Sequence, residues 1–195
     1  IVINEAKKNK FKIANKEGIP VGPRGAGSGF SGGSIPVRGG IVLSLERMNR
    51  ILEFDEEDLI AVVEPGVVLG RFHGLVESKG LFYPPDPSSS DFCTIGGNVA
   101  ENASGPRSVK YGGTRNYVLG LEAILPDGRV FNTGARTVKS VAGYDLTRLM
   151  VGSEGTLGVV SKIILRLLPL PEDISTIMVY FPGIDDAARA VSRII

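Results

Sequence analysis

The groups best placed to do chemistry in this chain are backbone N–H groups, and glycine exposes them. The first of three glycine clusters runs Gly22-Pro23-Arg24-Gly25-Ala26-Gly27-Ser28-Gly29-Phe30-Ser31-Gly32-Gly33-Ser34. Successive N–H groups with almost no side chains can form a nest that binds anions. Pro23 stiffens the entry and Ser28 adds a hydroxyl donor, so a diphosphate fits. Gly27, Gly29 and Gly32 also match G-x-G-x-x-G. That motif binds dinucleotides only where a helix opens at once and meets the pyrophosphate. Here Ser34-Ile35-Pro36 and a strand follow, which argues against a Rossmann site. Residues 29–33 match G-x-S-x-G, but a nucleophile elbow needs a following helix and a triad histidine. His73 is the only histidine. No Gly-Lys pair exists, so there is no Walker A loop. A purely structural glycine turn stays open for this segment alone.

The second cluster, residues 95–105, combines close backbone approach with the amides of Asn98 and Asn102, which both donate and accept. A flat heterocycle with carbonyls and ring nitrogens suits them. A tightly packed small-residue helix is equally consistent. The third cluster, residues 151–160, brings a further stretch of bare backbone just ahead of a long strand. Other candidates read as ordinary structure. Asp55-Glu56-Glu57-Asp58 is a solvated turn rather than a metal or acid–base cluster. His73 lies on a helix as a packing or surface residue. One cysteine, Cys93, and one histidine argue against a disulfide framework and a His/Cys zinc site.

The elements that must position these loops follow from periodicity and breakers. Residues 5–17 read as a helix closed by Gly18, and 19–21 as a short strand. Residues 41–45 and 51–54 read as strands. Residues 59–63 read as a buried strand stopped by Glu64-Pro65-Gly66. A helix over 67–79 places Val68, Phe72, Leu75 and Val76 on one face and ends at Gly80. Pro84-Pro85-Asp86-Pro87 is rigid and extended. Pro126-Asp127-Gly128 turns a hairpin between 117–125 and 129–133. A short helix over 144–150 precedes a long strand over 158–168. A strand over 174–181 and a helix over 184–195 close the chain. The helix stripe of Ile184, Ala187, Ala188, Val191, Ile194 and Ile195 needs a cover, so 172–195 read as the opening βα unit of a further domain. The alternative is a terminal helix docked on the main body.

Composition sets the frame. Hydrophobic residues make up 43% and the net charge is +1, which points to neither nucleic acid nor an anionic membrane. No run approaches the roughly 18 apolar residues of a membrane span, and the start lacks the order of a secretory signal. A cytoplasmic protein is expected. Glycine is the outlier, with 26 residues, nearly twice the usual share of about 7%.

Six motifs then stand in order: P-R-G-A-G-S-G at 23–29, P-P-D-P at 84–87, T-I-G-G-N-V-A-E-N-A at 94–103, K-Y-G at 110–112, G-Y-D-L at 143–146 and G-S-E-G-T-L-G at 152–158. Together they make residues 11–170 resemble the FAD-binding domain of the vanillyl-alcohol oxidase/PCMH superfamily. The likeness is strongest to its branch of glycolate oxidase FAD-binding subunits and D-lactate and D-2-hydroxyglutarate dehydrogenases. The resemblance implies an α+β, PCMH-type fold of two α+β subdomains with FAD between them. It divides the chain into a first subdomain over 1–54, a second over 55–170, and the start of a truncated substrate or cap domain over 171–195.

The resemblance also implies the site. Arg24, Gly25, Ala26, Gly27, Ser28, Gly29 and Gly32 would wrap the diphosphate. Pro85, Asp86, Pro87, Ser88, Thr94, Gly96, Gly97, Asn98, Ala100, Asn102 and Gly105 would line the flavin and ribityl chain. Tyr144, Glu154, Gly155, Gly158 and Val160 would hold the adenine side. FAD is expected to be non-covalent, because His73 lies outside these segments. In this family a hydride passes from C2 of a small 2-hydroxy acid to N5 of the flavin, with the protein positioning and tuning the cofactor. Partner oxidase subunits, iron–sulfur or second-flavin, are implied as well. No catalytic or metal-binding residue carries over, since the family's H-x-H motif and substrate arginines belong beyond residue 195. An alkyl-glycerone-phosphate synthase-like or cell-wall reductase-like enzyme and a non-catalytic nucleotide-binding module are the alternatives.

Overall fold

The computed structural model describes residues 5–195. Its centre is a five-stranded antiparallel sheet ordered β3-β4-β8-β6-β7. The strands are β3 (Ile51–Asp55), β4 (Ile60–Val63), β6 (Val118–Ile124), β7 (Val130–Gly134) and β8 (Val159–Arg166). Along β8 burial alternates strictly, with Val159, Ser161, Ile163 and Leu165 buried, as the two-residue period of a strand requires. Helices α2 (Leu69–Ser78) and α3 (Ile95–Glu101) supply the opposing layer. Leu69, Phe72, Val76, Ile95 and Val99 join Ala61, Val63, Ile163 and Leu165 in one core. Each such large apolar side chain contributes about 1.5–3 kcal/mol by leaving water. A two-stranded ladder, β5 (Leu81–Phe82) with β9 (Leu168–Pro169), closes the end of that layer.

The smaller part begins with α1 (Glu5–Lys16), then a parallel pair of β1 (Val21–Arg24) and β2 (Ile41–Ser44). Phe11 of α1 packs with Ile124 and Val159 of the large sheet and with Val21 and Leu43 of the small one. One aromatic ring thereby fastens the two sheets together. The connection between β2 and β3 is fastened at a second point. Arg50 grips the buried Glu64 through Nη2 at 2.9 Å, Nε at 3.3 Å and its own backbone N–H at 2.9 Å. Gly66 donates to the Met48 carbonyl at 2.7 Å. A side chain on Gly66 would overlap the Leu45 carbonyl, so the glycine allows the loop to sit there.

Most expected elements are present, and the differences have physical causes. The strand expected over 19–21 lies at Val21–Arg24. Pro23 is tolerated there because this small sheet has only edge strands. Residues 51–54 form a strand as expected, and it pairs with β4 at the edge of the large sheet. Leu59 has φ +56, and the strand starts after it. Val68 keeps an extended backbone as N-cap of α2. Helical phase therefore buries Leu69 in its place. The expected strand over 174–181 does not form: those residues enter no ladder among the described residues, and a strand without a partner leaves its backbone bonds unmade. Among the described residues three further α-helices follow, α4 (Ser108–Tyr111), α5 (Leu146–Met150) and α6 (Ile184–Ile194), with one 3-10 turn at Thr114–Asn116. No side chain of α6 is buried. No described helix is long and apolar enough to cross a membrane.

Candidate functional site

The three glycine clusters, far apart in sequence, meet around one cavity of about 310 Å³. That is within the range of small-molecule sites, about 300–1,000 Å³. The first cluster follows β1 and forms one wall. Gly27 and Gly32 sit at φ +73 and +77, in the left-handed region. No backbone N–H of residues 26–31 donates to another described residue, so the loop offers a row of free donors. The second cluster folds into α3, the floor of the cavity. A side chain on Gly25 would overlap the Thr94 hydroxyl, and one on Gly96 would overlap Pro65. Absent Cβ atoms let the first loop approach the start of α3. The third cluster docks on the same helix: Gly152 donates to the Val99 carbonyl at 2.9 Å and Glu154 to the Ala100 carbonyl at 2.8 Å. Gly155, at φ +77, packs against the Pro23 ring and closes the circle.

Two buried side-chain atoms in the cavity lack hydrogen-bond partners. Thr94 and Asn98 are 4% and 3% exposed, and Thr94 Oγ1 and Asn98 Nδ2 have no hydrogen-bond partner. Leaving a buried polar group unmatched costs about 1–3 kcal/mol. A ligand that meets these atoms recovers that cost. The Asn98 amide also lies beside the Cys93 thiol, which burial pushes above its ordinary range while Ser89 and Asn98 pull it back. Among the described residues no Lys, Arg or His lines the cavity. Two carboxylates do, Glu101 and Glu154. Partial burial, with the charge of Glu154, raises the Glu101 carboxyl above the usual carboxylate range. Two further hollows adjoin the cavity. One of about 250 Å³ shares Gly155, Gly158 and Val159 with it. One of about 400 Å³ shares Ala26 and Thr94. The run of hollows suits an elongated ligand.

Of the residues singled out by sequence, Gly25, Ala26, Gly27, Ser28, Pro87, Ser88, Thr94, Gly96, Gly97, Asn98, Ala100, Glu154, Gly155, Gly158 and Val160 line this cavity. Eight do not, and each has another task or place. Arg24 turns back to donate to the Ala26 carbonyl at 3.5 Å. Gly29 lies against the Glu101 carboxylate, and Gly32 turns the loop. Pro85 is buried. Asp86 holds Arg107 at 3.3 Å, and Gly105 packs on Asp86. Asn102 caps α3 at φ +51 and accepts from the Arg115 N–H at 2.9 Å. Tyr144 is 95% exposed.

Residues that sequence reasoning missed include Ser89, Cys93, Glu101, Ala103 and Ser153, each next to a residue it named. Phe30 and Gly33 lie within the first cluster but were not singled out. Leu45 and Pro65 carried no local signal, because only the folding of the loop onto β4 brings them here. His73 packs on the Tyr83 ring at 5.9 Å, as a packing histidine should, and burial lowers its pKa. Asp55 accepts from the N–H groups of Glu57 and Asp58 at 3.1 and 2.9 Å, a self-contained turn.

Comparison with known proteins places these features in context. A family model described as "FAD binding domain" matches residues 5–134. The glycolate oxidase subunit GlcD of Bacillus subtilis is 53% identical over 183 residues, which is 94% of this chain and 39% of that protein. A D-lactate dehydrogenase of Archaeoglobus fulgidus is 45% identical over 184 residues, 94% of this chain and 41% of its own length. A solved alkyldihydroxyacetonephosphate synthase superposes with a TM-score of 0.78 at 25% identity, over 96% of this chain and 34% of that one. The chain thus spans about two fifths of the length of the curated relatives it matches.

Proposed function

The chain belongs to the FAD binding domain family, and on that premise we propose that its glycine-lined cavity is the FAD cradle of an enzyme that oxidises a small 2-hydroxy acid. The observation that carries the proposal is the meeting of three glycine clusters around free loop N–H groups and the unpartnered Thr94 Oγ1 and Asn98 Nδ2. These residues fit FAD. The N–H groups of residues 26–29 take the diphosphate. Thr94 and Asn98 offer donors to the flavin and ribityl oxygens. Backbone near Gly155, Gly158 and Val160 takes the adenosine end. Bound FAD supplies the hydride acceptor; the chain binds it, orients it and shields one side from water. We propose non-covalent attachment, since His73 packs on Tyr83 and does not line the cavity.

The 2-hydroxy-acid reading rests on the likeness to a glycolate oxidase subunit and a D-lactate dehydrogenase, at 53% and 45% identity. The synthase likeness, at 25%, supports the fold. Association with further oxidase subunits follows from the Bacillus relative being named a subunit. We assign the two sheets to two FAD-binding subdomains, with residues 171–195 as the start of a substrate or cap domain, and the protein to the cytoplasm. The test is turnover by the full-length protein with a dye acceptor. Oxidation of glycolate or D-lactate with bleaching of a bound flavin supports the reading. A flavoprotein inert to every small 2-hydroxy acid contradicts it.

A further inference from the structure

The cavity has an unusual charge balance for a diphosphate ligand. Its lining holds two carboxylates, Glu101 and Glu154, and no basic side chain among the described residues. Gly29, inside the row of free N–H groups, lies directly against the Glu101 carboxylate. Glu154 Oε2 stands 3.5 Å from where a side chain on Gly33 would begin. An anion seated on the loop therefore meets negative charge across the cavity. Like charges at close range disfavour the ionised form of a carboxyl group. The same cavity contains the unpartnered Thr94 and Asn98 atoms, so a ligand is called for in the space that the two carboxylates line.

The neighbouring cations lie outside the lining and offset the conflict only in part. Arg24 folds over Gly27 and donates to the Ala26 carbonyl, outside the lining. Arg115, from the segment after α4, donates Nη2 to the Val151 carbonyl at 3.0 Å. Cys93, across α3, is held toward the neutral thiol. Lys162 of β8 is paired with Glu122 at 3.3 Å.

We propose, resting on the FAD reading of this site, that Glu101, facing the loop at Gly29 with the Glu154 charge in the same cavity, makes cofactor binding proton-coupled: the diphosphate enters together with one proton taken up by the Glu101 carboxylate. The proton comes from solvent and neutralises one carboxylate. The site is then ready for the anion at mildly acid pH and opposed to it at alkaline pH. Glu101 is the group already inclined to take the proton, through burial and the charge of Glu154. Linkage sets the size: taking up one proton weakens binding by up to about tenfold for each pH unit above the free-state pKa.

The test titrates the full-length apoprotein with FAD between about pH 6 and about pH 8.5 and counts protons by calorimetry in two buffers of different ionisation enthalpy. The expected result is net proton uptake, a Kd that rises with pH, and a flatter, tighter profile in Glu101→Gln. Glu154→Gln should flatten it too, which keeps the test usable if one variant folds poorly. No proton uptake with a pH-independent Kd overturns the proposal. Weaker FAD binding by Glu101→Gln with an unchanged slope also overturns it, and marks the carboxylate as a ligand for ribose hydroxyls. Failure of wild type to bind FAD at any pH would instead refute the FAD reading beneath it.

Discussion

Gly96 and Gly97 are neighbours on α3, and the structure assigns them opposite consequences. A methyl group on Gly96 would overlap the Pro65 ring and stand 2.8 Å from the Pro65 carbonyl oxygen. Proline at the end of β4 cannot yield easily, and Gly96 N–H already donates to that carbonyl at 2.8 Å. Overpacking of this kind costs about 1–3 kcal/mol, here near the upper end because rigid atoms are struck. Replacing glycine by alanine in a helix returns up to about 1 kcal/mol. Gly96→Ala should therefore lose about 2 kcal/mol, close to a 30-fold shift in the folding equilibrium. A methyl on Gly97 meets only the Thr94 hydroxyl, at 3.4 Å, and otherwise points to the cavity. Gly97→Ala should keep or raise apoprotein stability and weaken FAD binding instead. Urea unfolding of the apoproteins and fluorescence titration with FAD separate the two effects. Equal stability of the two variants, or unchanged FAD affinity in Gly97→Ala, would refute the seating of α3 described above.

Other outcomes follow from the same contacts. Gly27→Asp places a side chain at φ +73 and a negative charge beside the diphosphate loop, so flavin occupancy after purification should fall severalfold. Arg50→Ala removes the two side-chain bonds to the buried Glu64 and leaves the backbone one, and should cost about 1.5–3 kcal/mol in denaturant unfolding. His73 has a lowered pKa in the folded state, so the folded protein binds the proton less readily than the unfolded chain. Its contribution to stability is complete above the unfolded histidine pKa and falls as pH drops below about 6.5. His73→Gln should therefore show a shallower loss of unfolding free energy between about pH 7 and about pH 5 than wild type.

Local pattern made much of this molecule legible. The alternating burial of β8, the helix over α2 and the Pro126-Asp127-Gly128 hairpin are written in short windows, and each formed. The six ordered motifs pointed to the family that the comparisons show. Long-range placement was harder to read. Ile51–Asp55 looks like any short strand, and only its ladder with β4 puts it in the large sheet. Ile174 to Phe181 has strand composition, but a strand is made by its neighbour, and none is present among the described residues. Tyr144 sits inside a family motif yet stands exposed. Leu45 and Pro65 reach the cavity only because Arg50–Glu64 and Gly66 pin the loop onto β4. The charge conflict between Glu101 and Glu154 arises from two segments 53 positions apart in sequence, which no local motif discloses.

The central claim is that this cavity holds FAD, and the direct measurement is denaturation of the purified full-length protein followed by identification of any flavin released. The account predicts about one FAD per chain, freed without proteolysis and severalfold less of it in the Gly27→Asp variant. Absence of flavin, or release of FMN alone, would contradict it.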